Sequence, residues 1–247
     1  MRIAGFGDSF IQPIYYPNGD LYNEYNYLTK IGKYFNTNDF IAYGYPGSGV
    51  WDAFFEFQKQ EEIARKNNKP FDIVIFAWSN GSRLYHPIVR DICASNVYNH
   101  YDSKQPLWIA AKNYYEHLFD HKKLKYELTA FFYWLDNHLK ETYPNIKFVH
   151  LNGFPPYDEG QPVEDYYEYI KKNDGNIKYY TTWKNSVEIR PSLIYFSLMD
   201  DWPGDLSKEH RFQHLTPKMH TIVSDLVINA IENYVPGKII NYSKKII

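Results

Sequence analysis

The chain has 247 residues, of which 44% are hydrophobic, so it can bury a sizeable core in one large domain. The net charge is −2 without a long basic run, and we expect no nucleic-acid partner. The only cysteine, Cys93, rules out an internal disulfide, and no stretch approaches the ~20 apolar residues of a transmembrane helix. The first residues lack the pattern of a signal peptide, so we expect a cytoplasmic protein, or a virion-associated one if its source is viral.

Short buried strands alternate with amphipathic helices along the chain. The predicted strands cover residues 2–6, 39–43, 71–77, 146–151 and 192–196. The predicted helices cover residues 21–35, 50–66, 107–143 (as one helix or two) and 217–234, the last capped by Thr216. This alternation implies right-handed βαβ crossovers. We therefore predict an α/β fold, a three-layer α/β/α sandwich with a mostly parallel five-stranded sheet.

Two long polar segments interrupt the alternation, at about residues 83–106 and 154–191. Both are rich in tyrosine, and loops of this length usually have a function or small elements of their own. We interpret them as insertions beside a functional site in a single domain that spans residues 1–247.

Chemically useful residues follow the predicted strands. Asp8 and Ser9 come directly after the first strand, Gly47 lies in a glycine-rich turn after the second, and Asn80 follows the third. His214 stands just before the last helix. Ligands of parallel sheets bind outside the carboxyl ends of the strands. We therefore expect these side chains to meet at one edge of one sheet.

This set of residues suits acyl transfer. The Ser9 hydroxyl becomes a nucleophile when a base takes its proton, and His214 can do so near neutral pH because the reference pKa of histidine is ~6.5. The tetrahedral intermediate of ester hydrolysis needs fixed hydrogen-bond donors for its oxyanion. The backbone N–H groups of Ser9 and Gly47 and the side-chain amide of Asn80 could supply three.

The sequence resembles the SGNH (GDSL-like) hydrolase superfamily, whose four blocks contribute Ser, Gly, Asn and His. Gly7-Asp8-Ser9-Phe10 matches the first block, Gly47 the second, Asn80 the third and His214 the fourth, in the right order. The resemblance implies a flavodoxin-like fold and ester hydrolysis without a metal or an organic cofactor. Members of the superfamily act on acetylated sugars, lipids, thioesters and short esters.

Two positions depart from the family pattern. The third block reads Trp78-Ser79-Asn80-Gly81 where Gly-x-Asn-Asp is common, and Arg211 occupies the usual place of the acid that orients the histidine. The candidates for that acid are Glu209, Asp205 and Asp201. The alternative is a Ser–His dyad assisted by a backbone carbonyl.

Four residues near the predicted site are candidates for substrate binding: Asp8, Trp78, Arg83 and Tyr85. Each has a structural alternative. Asp8 could bind nearby backbone N–H groups, Arg83 could form a salt bridge, and the aromatic rings could simply pack. Tyrosine combines a flat apolar face with a polar tip, so the aromatic residues near the site could form a platform for a sugar or an acyl chain. Compositional drift is the main explanation of the high tyrosine content, with some of the rings used at a site.

The leading hypothesis is a serine esterase that hydrolyses an O-acyl ester of a small molecule or glycan, such as an acetylated carbohydrate. The alternative is a non-catalytic glycan-binding or viral structural module on the same scaffold, suggested by Arg211 and by the altered third block. Phosphodiester hydrolysis is disfavoured because the sequence lacks a carboxylate cluster for two metals. The oligomeric state is not predicted.

Overall fold

The computed structural model of the chain describes residues 1–11, 26–37, 39–45, 47–87, 92–100, 103–154, 183–199 and 215–242. The strands in these residues are β1 (Ile3–Gly7), β2 (Phe40–Gly44), β3 (Ile73–Trp78), β4 (Lys147–Asn152), β5 (Val187–Arg190) and β6 (Ile239–Asn241). The helices there are α1 (Tyr27–Tyr34), α2 (Val50–Lys66), α3 (Ala94–Asn99), α4 (Pro106–His117), α5 (His121–Thr142), α6 (Leu193–Met199) and α7 (Pro217–Glu232).

The strands form one parallel sheet in the order β2-β1-β3-β4-β5-β6. Successive side chains of a strand point to opposite faces, so each strand contributes to two cores. Ile3 and Ile75 pack on one face with residues of α1 and α7, whereas Phe6 and Phe76 pack on the other with residues of α2 and α5. The predicted α/β fold is confirmed, although the described sheet has six strands rather than five.

Two predicted helices agree closely with the structure. The helix predicted over residues 50–66 is α2 from end to end. The last helix, α7, begins at Pro217, where a proline costs no internal hydrogen bond, and the N–H of Met219 donates to Thr216 Oγ1 at 3.2 Å. Thr216 is therefore the N-cap that the sequence predicted, and it fixes where the segment after residue 214 becomes helical.

The fifth strand was predicted in the wrong place. Residues 193–196 belong to helix α6, which Ser192 precedes, and Leu193, Ile194 and Phe196 are fully buried. A short continuous apolar run fits a buried helix as well as a buried strand. The strand itself is β5, at the end of the segment interpreted as an insertion, and its alternating Glu188 and Arg190 hid its core face.

Other parts of the predicted architecture are refined rather than overturned. The region 107–143 forms two helices, α4 and α5, and α5 begins where the N–H of Lys123 donates to the Asp120 carboxylate. The first insertion contains the short helix α3, and most of the second lies outside the described residues. None of the described helices is long and apolar enough to cross a membrane.

Candidate active site

Ser9 lies in a tight turn after the carboxyl end of β1, the strand next to the edge strand β2. The N–H of Phe10 donates to Asp8 Oδ1 at 3.0 Å, and the N–H of Ile11 donates to the carbonyl oxygen of Asp8 at 3.0 Å. A side chain at Gly7 would come within 2.5 Å of the Ala77 carbonyl oxygen, so glycine lets the strand run close to β3. This turn leaves Ser9 half-buried, and its side chain is not sealed in the core.

Gly47 follows β2 in a conformation that favours glycine. Its φ angle is +87°, in the left-handed region, and a Cβ atom added there would meet no other group within 4 Å. The N–H of Ser48 donates to the carbonyl oxygen of Tyr45 at 3.1 Å and closes the turn. Gly47 is therefore required by backbone conformation rather than by packing, and it is exposed.

Asn80 is exposed in the turn after β3. Its Oδ1 atom accepts a hydrogen bond from the N–H of Ser82 at 2.9 Å, and the N–H of Arg83 approaches its carbonyl oxygen at 3.4 Å. Because Oδ1 already accepts from the backbone, the side-chain NH2 group is the part of Asn80 that can bind another group, as a donor.

The parallel register brings these segments together. Strand β1 lies between β2 and β3, with Gly7 opposite both Gly44 and Ala77, so β1 and β2 end at the same level and β3 ends one residue further on. We call the segments that follow them, residues 8–11, 47–49 and 79–83, the three-loop site. Ser9, Gly47 and Asn80 thus stand at neighbouring strand ends, as the sequence predicted for the edge of a sheet.

An ion pair crosses the three-loop site. Arg83 Nη1 donates to the carbonyl oxygen of Ser48 at 2.6 Å and lies 3.7 Å from Asp8 Oδ2. The side chain of Asp8 is fully buried, and burial raises its pKa, although the positive charge of Arg83 opposes the rise. Both side chains therefore point into the protein. Asp8 accepts from the N–H of Phe10, which is the structural role considered for it as the alternative to substrate binding.

The two aromatic candidates lie in different surroundings. Trp78 is 1% exposed, and its indole N–H donates to Nδ1 of the buried His150 at 3.0 Å. It packs in the core, against Phe76, and not on a surface that a substrate could reach. Tyr85 is 42% exposed, and its ring lies 5.3 Å from that of Phe55. Of the two, only Tyr85 is open to a ligand.

Two cavities lie on either side of Tyr85. One, of about 460 Å³, is lined by tyrosines, acids and the start of the three-loop site, including Tyr45, Ser48, Asp52, Glu56 and Tyr85. The other, of about 400 Å³, is lined by Trp51, Ser82, Arg83, Tyr85, Glu127 and Phe131. Both cavities thus border residues 47–49 or 79–83 and combine aromatic rings with polar groups.

His214 and the three candidate acids, Glu209, Asp205 and Asp201, lie outside the described residues, as does Arg211. The next residue along the chain, Leu215, is buried in the hydrophobic cluster that also contains Phe10, the neighbour of Ser9.

A second polar arrangement at the same edge was missed by the sequence analysis. Glu188 on β5 accepts from Asn152 Nδ2 at 2.9 Å and from Arg190 Nη2 at 2.7 Å, and we call these residues the β5 polar chain. Burial raises the pKa of Glu188, and its bonds with Arg190 and Asn152 oppose the rise. The available signal was the Glu-x-Arg spacing, which puts both side chains on one face of a strand.

No family model matches the sequence, and no curated protein matches it. Three solved carbohydrate esterases resemble its chain path. A family two carbohydrate esterase from Clostridium thermocellum, solved with cellohexaose, has 12% identity and a TM-score of 0.43. The acetyl xylan esterase Est2A from Butyrivibrio proteoclasticus has 14% identity and a TM-score of 0.42. A family 2 enzyme with a carbohydrate-binding domain from Myceliophthora fergusii has 12% identity and a TM-score of 0.40.

Each match covers 94% of this chain but only 63%, 63% and 65% of the respective neighbour, so the chain spans less than two thirds of their lengths. The likenesses are too distant to assign an activity.

Proposed function

We propose that the protein is a serine ester hydrolase in which Ser9 attacks an O-acyl ester and His214 acts as general base. The observation that carries the proposal is the three-loop site. A half-buried serine ends the strand between a left-handed glycine turn and an exposed asparagine. A nucleophile flanked by donors from two neighbouring loops is the arrangement that acyl transfer requires.

The reaction follows from these roles. Ser9 Oγ attacks the ester carbonyl while its proton passes to His214, and the carbonyl oxygen becomes an oxyanion. The N–H groups of Ser9 and Gly47 and the NH2 group of Asn80 donate to that oxyanion. The intermediate collapses to an acyl-serine, and His214 returns the proton to the departing alcohol. Water, activated by the same histidine, then releases the carboxylic acid and restores Ser9.

The proposed nucleophile and the proposed base are each followed in the chain by a residue of the same core. Leu215 and Phe10 are buried in one hydrophobic cluster, so the described residues next to the base and next to the nucleophile belong to the same core. The acid that orients the imidazole is proposed among Glu209, Asp205 and Asp201, and a Ser–His dyad is the alternative.

We propose an acylated carbohydrate as the substrate. The cavity of about 460 Å³ beside Ser48 brings together the tyrosine rings of Tyr45 and Tyr85 and the carboxylates of Asp52 and Glu56. Aromatic faces pack against the apolar side of a sugar ring, and carboxylates accept hydrogen bonds from its hydroxyl groups. This mixture suits a polyhydroxylated acyl carrier better than a long aliphatic chain.

The test measures hydrolysis of p-nitrophenyl acetate and of acetylated xylose, together with covalent labelling by a fluorophosphonate probe. We expect turnover and labelling by the wild type, and neither by Ser9→Ala. The control is Thr129→Ala, which removes a hydroxyl on the solvent face of α5 and should behave like the wild type. Equal labelling of the wild type and Ser9→Ala would remove Ser9 from the mechanism.

The second candidate is a glycan-binding module without turnover. It is favoured by the exposed rings of Trp51, Phe55 and Tyr85, which stand together beside both cavities. A glycan array separates the two functions. Binding that persists in Ser9→Ala and is accompanied by no hydrolysis in the wild type favours the module, whereas Ser9-dependent hydrolysis favours the esterase.

A further inference from the structure

Arg83 is the one described side chain whose polar contacts, as given above, reach both other segments of the three-loop site. It belongs to the segment after β3, it donates to the carbonyl oxygen of Ser48 after β2, and it faces the carboxylate of Asp8 after β1. Its own N–H closes the turn on Asn80. Each of the three residues it contacts is at, or next to, a residue proposed to handle the oxyanion or the nucleophile.

The segment that carries Gly47 leads directly into α2, where the N–H of Ala53 donates to the Gly49 carbonyl oxygen at 3.3 Å. Gly47 itself is exposed and would have no neighbour within 4 Å of a Cβ atom, and the Ser48–Tyr45 hydrogen bond is internal to the turn. The bond from Arg83 to the Ser48 carbonyl oxygen therefore connects this turn to the segment after β3. Its length of 2.6 Å and the mostly buried guanidinium indicate a strong, charge-assisted contact.

Asp8 supplies the countercharge of the guanidinium. Its carboxylate is held in place by the N–H of Phe10, and its second oxygen is the one that faces Arg83. The same Nη1 atom makes both contacts: it donates to the Ser48 carbonyl oxygen and attracts the Asp8 carboxylate electrostatically, at a distance longer than a hydrogen bond. The arrangement thus connects the backbone around Ser9 with the backbone around Gly47 through one arginine.

We infer that Arg83 is a positioning residue that holds the Gly47–Ser48 turn against Asp8–Ser9, so that the backbone donors of the two loops converge on one oxyanion. The inference rests on the proposed function, to which it adds a residue that neither attacks nor transfers a proton. A displacement of about 1 Å in such a site typically costs about 100-fold in rate. Arg83 therefore contributes to kcat and little to substrate affinity.

The chain offers a matched control. Arg65 on α2 also pairs with a buried carboxylate: Arg65 Nε lies 2.8 Å from Glu61 Oε1, and the Glu61 side chain is 1% exposed. This pair ties α2 to the segment before β3 through the bond from the N–H of Phe71 to Glu61, at the opposite end of the strands from Ser9. Loss of Arg65 changes an ion pair of the same type without touching the three-loop site.

The first measurement compares kcat and KM of the wild type, Arg83→Met, Arg83→Lys and Arg65→Met with p-nitrophenyl acetate. We expect kcat to fall about 100-fold in Arg83→Met with KM nearly unchanged, a partial loss in Arg83→Lys, and wild-type values in Arg65→Met. A rise in KM at constant kcat would instead make Arg83 a substrate-binding residue. Unchanged kcat in Arg83→Met would overturn the inference.

A double variant separates positioning from stability. Arg83→Met leaves Asp8 buried without its countercharge, so it should lower the melting temperature. Asp8→Asn combined with Arg83→Met removes the uncompensated charge, while the oxygen of the introduced amide can still accept from the N–H of Phe10, and the melting temperature should recover. We expect kcat to stay low in the double variant. Recovery of kcat together with stability would show that Arg83 acts only through folding, and would overturn the inference.

Two further readouts complete the test. Added guanidinium chloride at millimolar concentration should restore part of kcat in Arg83→Ala, whereas sodium chloride at equal ionic strength should not, and neither salt should affect Arg65→Ala.

Amide hydrogen exchange should accelerate in the peptide that contains Gly47 and Ser48 in Arg83→Met and stay unchanged in Arg65→Met. Exchange needs no turnover. If the wild type lacks Ser9-dependent hydrolysis, the proposed function fails, while unchanged exchange at Gly47–Ser48 separately overturns the role of Arg83.

Discussion

Two buried ion pairs at the carboxyl edge of the sheet use the same chemical groups in different ways. In the β5 polar chain, Glu188 and Arg190 stand two residues apart on one strand, 2.7 Å from each other, with Asn152 from the adjacent strand. In the three-loop site, Asp8 and Arg83 come from different loops, and their closest charged atoms are 3.7 Å apart. The first pair is local and tight, whereas the second is looser and spans loops.

The two pairs therefore act on different properties of the protein. The β5 polar chain satisfies groups that β4 and β5 bury, so its effect is on the stability of the sheet. The pair in the three-loop site orders backbone that follows three strands, so its effect is on the geometry of exposed donors. Variants of the exposed donors and the base on the serine side should therefore change turnover with little change in stability, whereas Arg83→Met changes both because it leaves the buried Asp8 without a countercharge. Variants on the β5 side should change stability with little change in turnover.

The largest expected effect on the serine side is that of His214→Ala. Without a base, Ser9 keeps its proton, and we expect kcat to fall by about 10⁴-fold or more while the melting temperature stays within a few degrees. Hydrolysis of p-nitrophenyl acetate is measured beside His117→Ala, which removes an exposed histidine at the end of α4. Wild-type kcat in His214→Ala would refute its assignment as the base.

Asn80→Ala comes next, because it removes one donor rather than the base. We expect a loss of about 10²–10³-fold in kcat. The exposed Asn137 on α5, whose amide donates to the carbonyl oxygen of Tyr133 within the same helix, provides the control Asn137→Ala. A rise in KM without a change in kcat would assign Asn80 to ground-state binding instead.

On the β5 side, Glu188→Ala should lower the free energy of unfolding by about 3 kcal/mol at pH 7, since Asn152 and Arg190 lose their shared acceptor. Turnover should be unaffected after correction for the folded fraction, as measured by urea unfolding and by ester hydrolysis. A selective loss of kcat would contradict a purely structural role of Glu188 and would indicate that it assists His214.

The pH dependence of stability provides a second test of the β5 polar chain. Burial raises the pKa of Glu188 above its ordinary 4.5, so the folded protein holds this proton more tightly than the unfolded chain. The part of the stability that depends on this proton is therefore present below pH 4.5 and is lost as the pH rises through the raised value, while the bonds of Glu188 with Arg190 and Asn152 still contribute at pH 7. Glu188→Gln should abolish that part of the pH dependence in urea unfolding curves, and an unchanged slope would contradict it.

The sequence predicted the elements whose patterns are unambiguous. The amphipathic spacing of residues 50–66 defines α2, and the Thr216-Pro217 start defines α7. The positions of Ser9, Gly47 and Asn80 followed from strand ends, because parallel strands share a carboxyl edge. What one-dimensional patterns could not separate was a buried helix from a buried strand at residues 192–196, or a β-strand whose core face carries an ion pair, at residues 187–190.

Side-chain direction was harder to predict than position. Trp78 ends β3 beside Asn80, yet the alternation along the strand turns its ring into the core, where it meets His150. The contact of Arg83 with Ser48 joins residues 35 apart, and no local pattern reports a bond between two loops. Sequence reasoning therefore located the edge at which the chemistry is proposed, while the tertiary fold decided which of its residues face a ligand.

The imidazole of His150 makes the fold less stable at low pH. It is fully buried, stacked 3.5 Å from the Trp183 ring and bonded to Trp78, and burial keeps its pKa well below the ordinary 6.5. Below pH 6.5 an unfolded chain takes up a proton there that the native state refuses, so unfolding gains up to about 1.4 kcal/mol for each further pH unit. Acidification thus destabilises the sheet through His150, because the aromatic stack around this histidine does not accommodate an imidazolium cation.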